Sequence, residues 1–230
     1  MLGFNQSLLN RGNVVGLSVL LLVLGCPVLQ GQGISPSPSY AGLRLVHAAG
    51  TTNRVQFLMN GRNISSNGLL PGYAGGVGGF PAGKTMFTAK SGEEPPSLPI
   101  PVELSSGRNV AVVAFLEPIP LKDRQPGKPE KKLAIIAIPQ EATPEGKSRF
   151  RLLMLGEPSC EILCNDQKIS LETGKIQEVG GSARSIILRD GAKLITEYQP
   201  AKPGDHVIIV YRDASGAWAA TRYEDRITKF

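Results

Sequence analysis

The runs VAVVAF at residues 110–115 and LAIIAI at residues 133–138 decide the fold class. Each is a short, continuous apolar stretch, rich in β-branched residues and bounded by turn formers. This pattern is typical of a strand buried on both faces or in the core of a β-sandwich. Upstream, Val55, Phe57 and Met59 occupy alternate positions, which predicts a strand with one buried face. The sequence therefore predicts an all-β protein.

The overall composition supports the same class. The 230 residues include 27 glycines and 18 prolines, so turns are frequent and long helical bundles or coiled coils are disfavoured. The length allows one or two domains with cores of their own. The formal net charge of +6 is spread without a dense Lys/Arg stripe, so we do not expect a nucleic-acid partner.

Residues 1–33 have the pattern of a signal peptide. Arg11 is their only charged residue, and the apolar run at 14–24 would span about 16 Å as a helix, about half a bilayer core. A buried N-terminal core helix is the alternative. No other stretch is apolar for long enough to be a transmembrane span, so we expect an exported protein, periplasmic or extracellular.

Two processing sites stay open at the end of this segment. Gly31 and Gly33 place small residues where ordinary signal peptidase requires them. Residues 23–26 (VLGC) resemble a bacterial lipobox, which would leave Cys26 lipidated and anchor the protein to the membrane. Leu24 and Pro27 fit that motif poorly. Both soluble release and a lipid anchor at Cys26 are therefore retained.

The remaining chain divides into two similar halves. A Ser/Pro linker at 34–40 precedes a first domain at 41–140, and a linker at 141–146 precedes a second domain at 147–226. Three segments recur in the same order: LRLV at 43–46 and FRLL at 150–153, VQFLMNG at 55–61 and CEILCND at 160–166, GRNVAVV at 107–113 and GDHVIIV at 204–210. This echo predicts an internal duplication into two tandem, small, Ig-like β-sandwiches. Chance similarity between strand-rich sequences is the alternative.

The first half resembles a known family. Residues 45–49 (LVHAA), a polar turn, the strand ending in Asn60-Gly61, and FPAG at 80–83 resemble domain of unknown function 4397. The resemblance covers residues 41–140; the second half is covered only through the duplication, since it lacks the His-Ala signature. It implies a β-sandwich, often in tandem, in exported bacterial envelope proteins, and it implies no catalytic residues.

Residues 78–85 (GGFPAGKT) match the letters of a phosphate-binding loop. That loop needs a buried strand before it and a helix after it, so that the N-terminus of the helix faces the phosphates. Neither flank has the required character here. We expect a glycine-rich turn that leads into a strand, and no nucleotide cofactor.

Cys160 and Cys164 are four residues apart on a predicted strand. An extended chain separates them by about 13 Å, whereas a disulfide needs Cα atoms within about 7 Å. The echo places them where Val55 and Met59 stand, so we expect two buried thiols. A disulfide across a turn or bulge, or a metal or redox site, are the alternatives.

Other chemistry-bearing residues have a structural interpretation. His47 is expected to pack under a turn, and His206 to cap a strand or lie on the surface. Two histidines are too few for a His-rich zinc site. The three carboxylates beside glycines are expected to be turn residues rather than an acid–base pair: Asp190, Asp205 and Asp213. The aromatic residues of the last predicted hairpin are expected in the core, with a sugar-binding platform as the alternative: Tyr211, Trp218 and Tyr223.

These observations predict no catalytic, cofactor-binding or metal-binding residue. The expected function is that of an exported, non-enzymatic β-sandwich protein with a binding or structural role in the bacterial cell envelope. Its partner would be an envelope protein or a glycan. The alternative is an exported hydrolase that acts on cell-wall or glycan substrates, with catalytic groups brought together from loops.

Overall fold

The structure is a computed structural model that describes residues 39–92, 94–124, 126–127, 130–139, 148–179 and 184–225. The predicted signal peptide, Cys26, most of the Ser/Pro linker and the 141–146 linker lie outside the described residues. The described part is one compact all-β unit with sixteen strands and one 3₁₀ turn, which confirms the predicted fold class. Within it, no helix is long and apolar enough to cross a membrane.

The first half is a sandwich of two four-stranded sheets. The inner sheet, which faces the second half of the chain, has the order β4-β1-β7-β8. The outer sheet, on the other side of the sandwich, has the order β3-β2-β5-β6. Strands β1 and β7 run parallel, and the other pairs are antiparallel. The strands are β1 (Tyr40–His47), β2 (Val55–Met59), β3 (Arg62–Asn63), β4 (Ala74–Pro81), β5 (Gly83–Ser91), β6 (Ile100–Leu104), β7 (Asn109–Pro118) and β8 (Lys131–Pro139).

The second half repeats this topology strand for strand. Its inner sheet has the order β12-β9-β15-β16, its outer sheet the order β11-β10-β13-β14, and β9 and β15 again run parallel. The duplication inferred from the echo is therefore present in the topology. The strands are β9 (Arg149–Met154), β10 (Ser159–Cys164), β11 (Gln167–Glu172), β12 (Ile176–Val179), β13 (Ile186–Asp190), β14 (Lys193–Tyr198), β15 (Asp205–Arg212) and β16 (Trp218–Asp225). The domain boundaries themselves stay a prediction.

The four sheets form four layers with three apolar cores between them. Along β7, Val110, Val112 and Ala114 belong to the core of the first sandwich, while Ala111 and Val113 face the second half. The inner sheets thus bury both faces, as the continuous apolar run predicts. The middle core joins residues of both halves: Val46, Ala48, Ala111, Val113 and Ile138 with Leu153, Leu155, Val207, Ile209, Tyr211 and Tyr223.

The parallel strand pairs define which residues of the two halves are equivalent. Leu43 lies beside Val110 in the first half, and Phe150 lies beside His206 in the second. The sequence echo instead aligned Val207 with Val110, but Val207 faces the middle core. The alignment of the third repeated segment is therefore wrong by one residue. A run that is apolar on both faces does not show which of its residues face which core. The comparison of the two sequences therefore aligned this run one position out of register.

The two inner sheets are related by an approximate two-fold axis. Arg44 donates to the Glu224 carbonyl at 3.1 Å, and its equivalent Arg151 donates to the Pro139 carbonyl at 3.4 Å. Glu224 pairs with His206, and Pro139 pairs with Val110, so the two acceptors are also equivalent. An arginine of each half therefore bonds the equivalent backbone carbonyl of the other half. Reciprocal contacts of this kind are typical of an isologous dimer, whose two copies are here joined in one chain.

Candidate functional site

Two glycines let the halves approach each other at the C-terminal ends of the parallel strands. A Cβ atom on Gly50 would lie 2.0 Å from the Arg212 carbonyl oxygen, and one on Gly156 would lie 2.8 Å from the Leu116 carbonyl oxygen. No larger residue fits without displacing the backbone. Gly156 also has φ of +89°, which glycine adopts freely. These approaches bring loops of the two sandwiches together at one end of the protein.

A cleft opens at each of these approaches. Cleft 1, of about 420 Å³, lies between the 49–52 loop after β1, Pro71, and residues 211–215, which form the end of β15 and the turn after it. Cleft 2, of about 270 Å³, lies between the 155–158 loop after β9, the 173–174 turn, and the end of β7. Each cleft is thus lined by both halves of the chain.

The two clefts occupy equivalent positions about the two-fold axis. Phe115 lies five residues after Val110, and Tyr211 lies five residues after His206, so the aromatic residues of cleft 2 and cleft 1 correspond. Two residues further on, Glu117 and Asp213 correspond in the same way. Each cleft therefore combines an aromatic side chain with a carboxylate, which provides both an apolar contact and a polar anchor for a ligand.

In cleft 1 the carboxylate is fixed by its own turn. Asp213 Oδ1 accepts hydrogen bonds from the Ser215 amide at 2.8 Å, the Ser215 hydroxyl at 2.6 Å and the Ala217 amide at 3.0 Å. These bonds, the Ser215 hydroxyl first, lower the pKa of Asp213 below its usual value. Burial, helped by the charge of Asp213, raises the pKa of Tyr211. At neutral pH this cleft presents an ionised carboxylate beside a protonated phenol.

In cleft 2 the carboxylates are paired with lysines of β8. Lys132 lies 3.4 Å from Glu117, and Lys131 lies 3.6 Å from Glu157. These exposed pairs neutralise the rim but contribute little to stability. Both clefts have features suited to holding a ligand. Among the described residues, no group of three or more His, Cys, Asp or Glu side chains is placed to hold a metal ion.

The segment that matches the letters of a phosphate loop lies away from both clefts. Strand β4 ends at Pro81, and β5 begins at Gly83 in the other sheet of the sandwich. Lys84 is exposed on β5, with no helix after it. The prediction is right that a strand, β5, follows this segment, but residues 74–81 are strand β4 and not a glycine-rich turn. The expectation that the preceding residues lack strand character is wrong, because backbone pairing with the distant strand β1 makes a strand of these glycines.

The two cysteines lie on β10 and are free thiols. Cys164 is buried in the core of the second sandwich, and half-buried Cys160 packs against that core. Burial raises the pKa of Cys160 to about 11 and also raises the pKa of Cys164. The prediction of two thiols acting as small apolar residues is confirmed for the described chain, with Cys160 more exposed than expected.

The prediction of a capping or surface role for His206 is wrong. Its ring is fully buried, with its centroid 5.3 Å from that of Phe150, and its Nδ1 lies 3.1 Å from the Tyr198 hydroxyl. The prediction of a turn role for Asp205 is also wrong. Asp205 is buried and forms ion pairs with Arg151 at 2.6 Å and Arg149 at 3.1 Å. The buried positions of His206 and Asp205 both follow from the β9–β15 register, which pairs residues that are 56 positions apart in the sequence.

The predictions for His47, Asp213, Asp190 and the aromatic residues of the last hairpin hold. His47 is buried under a turn, because its amide donates to the Tyr73 carbonyl and its carbonyl accepts from the Gly72 amide. Asp213 organises the turn between β15 and β16, and exposed Asp190 ends β13 at a hairpin. The three aromatic residues of the last hairpin are buried, which confirms the core interpretation: Tyr211, Trp218 and Tyr223.

Sequence reasoning missed the paired clefts altogether. Phe115 and Tyr211 are in the sequence as the ends of apolar runs, but a one-residue error in the third echo hid their equivalence. The chain matches no protein-family model, and no curated protein is significantly similar to it in sequence. The resemblance to domain of unknown function 4397 stays a prediction.

Proposed function

We propose that the protein is an exported, non-enzymatic binding protein of the bacterial cell envelope, with a protein or glycan partner held at the two clefts. The observation that supports this most is the pair of equivalent clefts at one end of a rigid four-layer scaffold. Sites built where two packed units meet are a common place for ligands. A duplicated cleft also allows a repeated or two-fold ligand to be held at two points, which raises its apparent affinity.

The direction in which the clefts open supports the same proposal. Strand β1 begins at Tyr40, whose carbonyl accepts from the Gly107 amide, and β9 begins at Arg149, whose amide donates to the Gly204 carbonyl. These positions lie at the end of the inner sheets opposite the clefts. Both clefts therefore lie at one and the same end of the inner sheets, which suits a ligand that contacts both of them.

Site-specific photocrosslinking tests the proposal. A photoreactive amino acid placed at Ala214 in cleft 1 or at Pro158 in cleft 2 should form adducts with a partner when protein purified from an exporting host is mixed with envelope extract or isolated sacculi. Leu194, which is 52% exposed on the outer sheet of the second sandwich, is the control position. Adducts equal at all three positions, or at none, would contradict the proposal. Release of soluble fragments from sacculi would indicate the hydrolase instead.

A further inference from the structure

A polar groove of about 640 Å³ lies at one edge of the first sandwich, next to cleft 1. Five side chains line it with hydrogen-bond donors: Asn53, Arg54, Gln56, Asn67 and Lys90. Thr52 lines both this groove and cleft 1, so the two cavities adjoin. Two cations and three carboxamides in one groove form an unusual concentration of donors.

The chain builds the groove from two strands and two turns. Gln56 and Lys90 are cross-strand neighbours on β2 and β5, and both point away from the core that Val55 and Phe57 enter. Arg54 donates from Nη1 to the Gly68 carbonyl at 3.1 Å, which holds its guanidinium against the 65–68 turn. The two cations are therefore placed on one surface by strand register and by a backbone contact.

Glycines form part of the walls. Gly68 has φ of +76°, and a Cβ there would lie 3.2 Å from both Arg54 Cβ and Gln56 Cγ. Gly92 has φ of +46°, and a Cβ there would lie 2.4 Å from Asn53 Nδ2. A side chain at either turn would press on the residues that line the groove, so backbone alone fits at these two points.

The positive charge of the groove is not neutralised by the described part of the chain. Neither Arg54 nor Lys90 makes an ion pair with a described residue. Side chains with fixed positive charge and adjacent carboxamides match an oxyanion that is flanked by hydroxyl groups.

In the second half, which has the same topology, the described residues at the equivalent strand positions do not repeat the cations of this groove. Glu161 takes the place of Gln56, and it pairs with Lys168 at 2.6 Å. Strand β13 ends at Asp190 and pairs with β10 only at Leu163 and Cys164, before a counterpart of Lys90 is reached. The duplicated frame therefore does not require these cations, and their presence in the first half points to a ligand.

We propose that this groove binds a carbohydrate that carries a carboxylate or a phosphate. Arg54 and Lys90 take the oxyanion, and the carboxamides of Asn53, Gln56 and Asn67 bind the sugar hydroxyls. The proposal goes beyond the cleft function and does not depend on it, because binding in the groove is measured with a purified ligand in solution.

Isothermal titration calorimetry on the full chain tests the proposal with four probes: an oligogalacturonate, glucose 1-phosphate, inorganic phosphate and neutral maltoheptaose. At least one anionic sugar should bind more tightly than inorganic phosphate and maltoheptaose, and its affinity should fall as salt is raised. Whether the oligogalacturonate or glucose 1-phosphate binds tells which oxyanion the groove prefers. Binding of inorganic phosphate alone, equal binding of maltoheptaose, or no binding of any anionic sugar would overturn the proposal.

Charge-removing variants locate the site. Lys90→Gln and Arg54→Gln should each weaken anionic sugar binding at least about tenfold, because each removes a charge-assisted hydrogen bond. Lys84→Gln removes the same charge from an exposed position on β5 outside the groove, and it should leave the affinity unchanged. All three positions are exposed, so thermal unfolding should show equal stability. An equal loss with Lys84→Gln would show attraction by overall charge and refute a site at the groove.

Discussion

Replacing His47 by methionine should stabilise the protein and make it less sensitive to acid. His47 is fully buried, and neither ring nitrogen has good hydrogen-bond geometry with a described residue, although the Leu69 and Leu70 carbonyls lie near the ring. Its equivalent is Met154: the Gly72 amide donates to the His47 carbonyl just as the Gly174 amide donates to the Met154 carbonyl. The second half thus shows that this fold accepts methionine at the position.

The magnitude follows from two opposing effects. A buried polar group without a partner costs about 1–3 kcal/mol, and His47→Met removes that cost. A volume-conserving core substitution loses less than about 1.5 kcal/mol through imperfect packing. At pH 7.5 we therefore expect a net gain of about 1 kcal/mol in the free energy of unfolding.

The pH dependence has a definite sign. Burial lowers the pKa of His47, and this outweighs the opposing effects of the Leu70 and Leu69 carbonyls and of Glu94. The unfolded chain therefore binds the proton more tightly, and stability falls as the pH drops below the unfolded value of about 6.5. Each pH unit in that window removes at most about 1.4 kcal/mol, so the contribution of His47 between pH 7.5 and 5.0 is at most about 2 kcal/mol.

Urea unfolding of both proteins at pH 7.5 and pH 5.0 measures both effects, since the other titrating groups are common to the two. The His47→Met variant should be the more stable protein at both values, with the larger difference at pH 5.0. A variant that is less stable at pH 7.5 and loses as much stability on acidification as the parent would refute the reasoning. It would mean that the imidazole is well satisfied in its site.

Three further outcomes are expected. Cys160→Val, which copies Val55, should change the free energy of unfolding by less than about 1.5 kcal/mol, and thiol titration should find that both β10 thiols react slowly until the protein is denatured, with Cys160 the faster of the two. Asp205→Ala should lower stability by about 3–5 kcal/mol in urea unfolding, because it removes the buried carboxylate that both Arg151 and Arg149 contact; a change below about 1 kcal/mol would contradict the ion pair. Gly156→Ala should lower the melting temperature more than Gly174→Ala does. Both positions have positive φ, but a Cβ meets a carbonyl at 2.8 Å only at Gly156, and equal shifts would contradict the close approach.

The sequence was most informative where burial leaves a pattern along one strand. The alternation at 55–59 and the runs at 110–115 and 133–138 gave the strands and their burial directly. The β10 cysteines were placed correctly because strand geometry alone keeps them apart. Each of these inferences uses neighbours within a few residues, and so needs no knowledge of which strands pair.

The failures all depend on pairing between distant segments. Asp205 looked like a turn residue because Gly204 precedes it, yet the parallel register sets it beside Arg149. Asn109 occupies the equivalent place in the first half, beside Gly42, where a Cβ would lie 1.9 Å from Asn109 Oδ1. The second half has the buried ion pair of Asp205 at this position. The first half has the carboxamide of Asn109, which packs against Gly42. Neither arrangement can be inferred from residues that are adjacent in the sequence.

The positions at which the two halves differ are the best guide to the functional surface of the protein. Positions that only build the layers are mostly apolar in both copies or, like Asp205 of the second half, polar with a buried partner, so an exception in one copy that lacks a described partner needs a reason other than the fold. His47 in place of a methionine is such an exception, and it lies under the 70–73 segment that lines cleft 1. The groove cations are another, and the groove shares Thr52 with the same cleft. Both exceptions lie beside cleft 1, so we expect the ligand contacts to be concentrated at cleft 1 and its adjoining groove, with cleft 2 as the second point of contact.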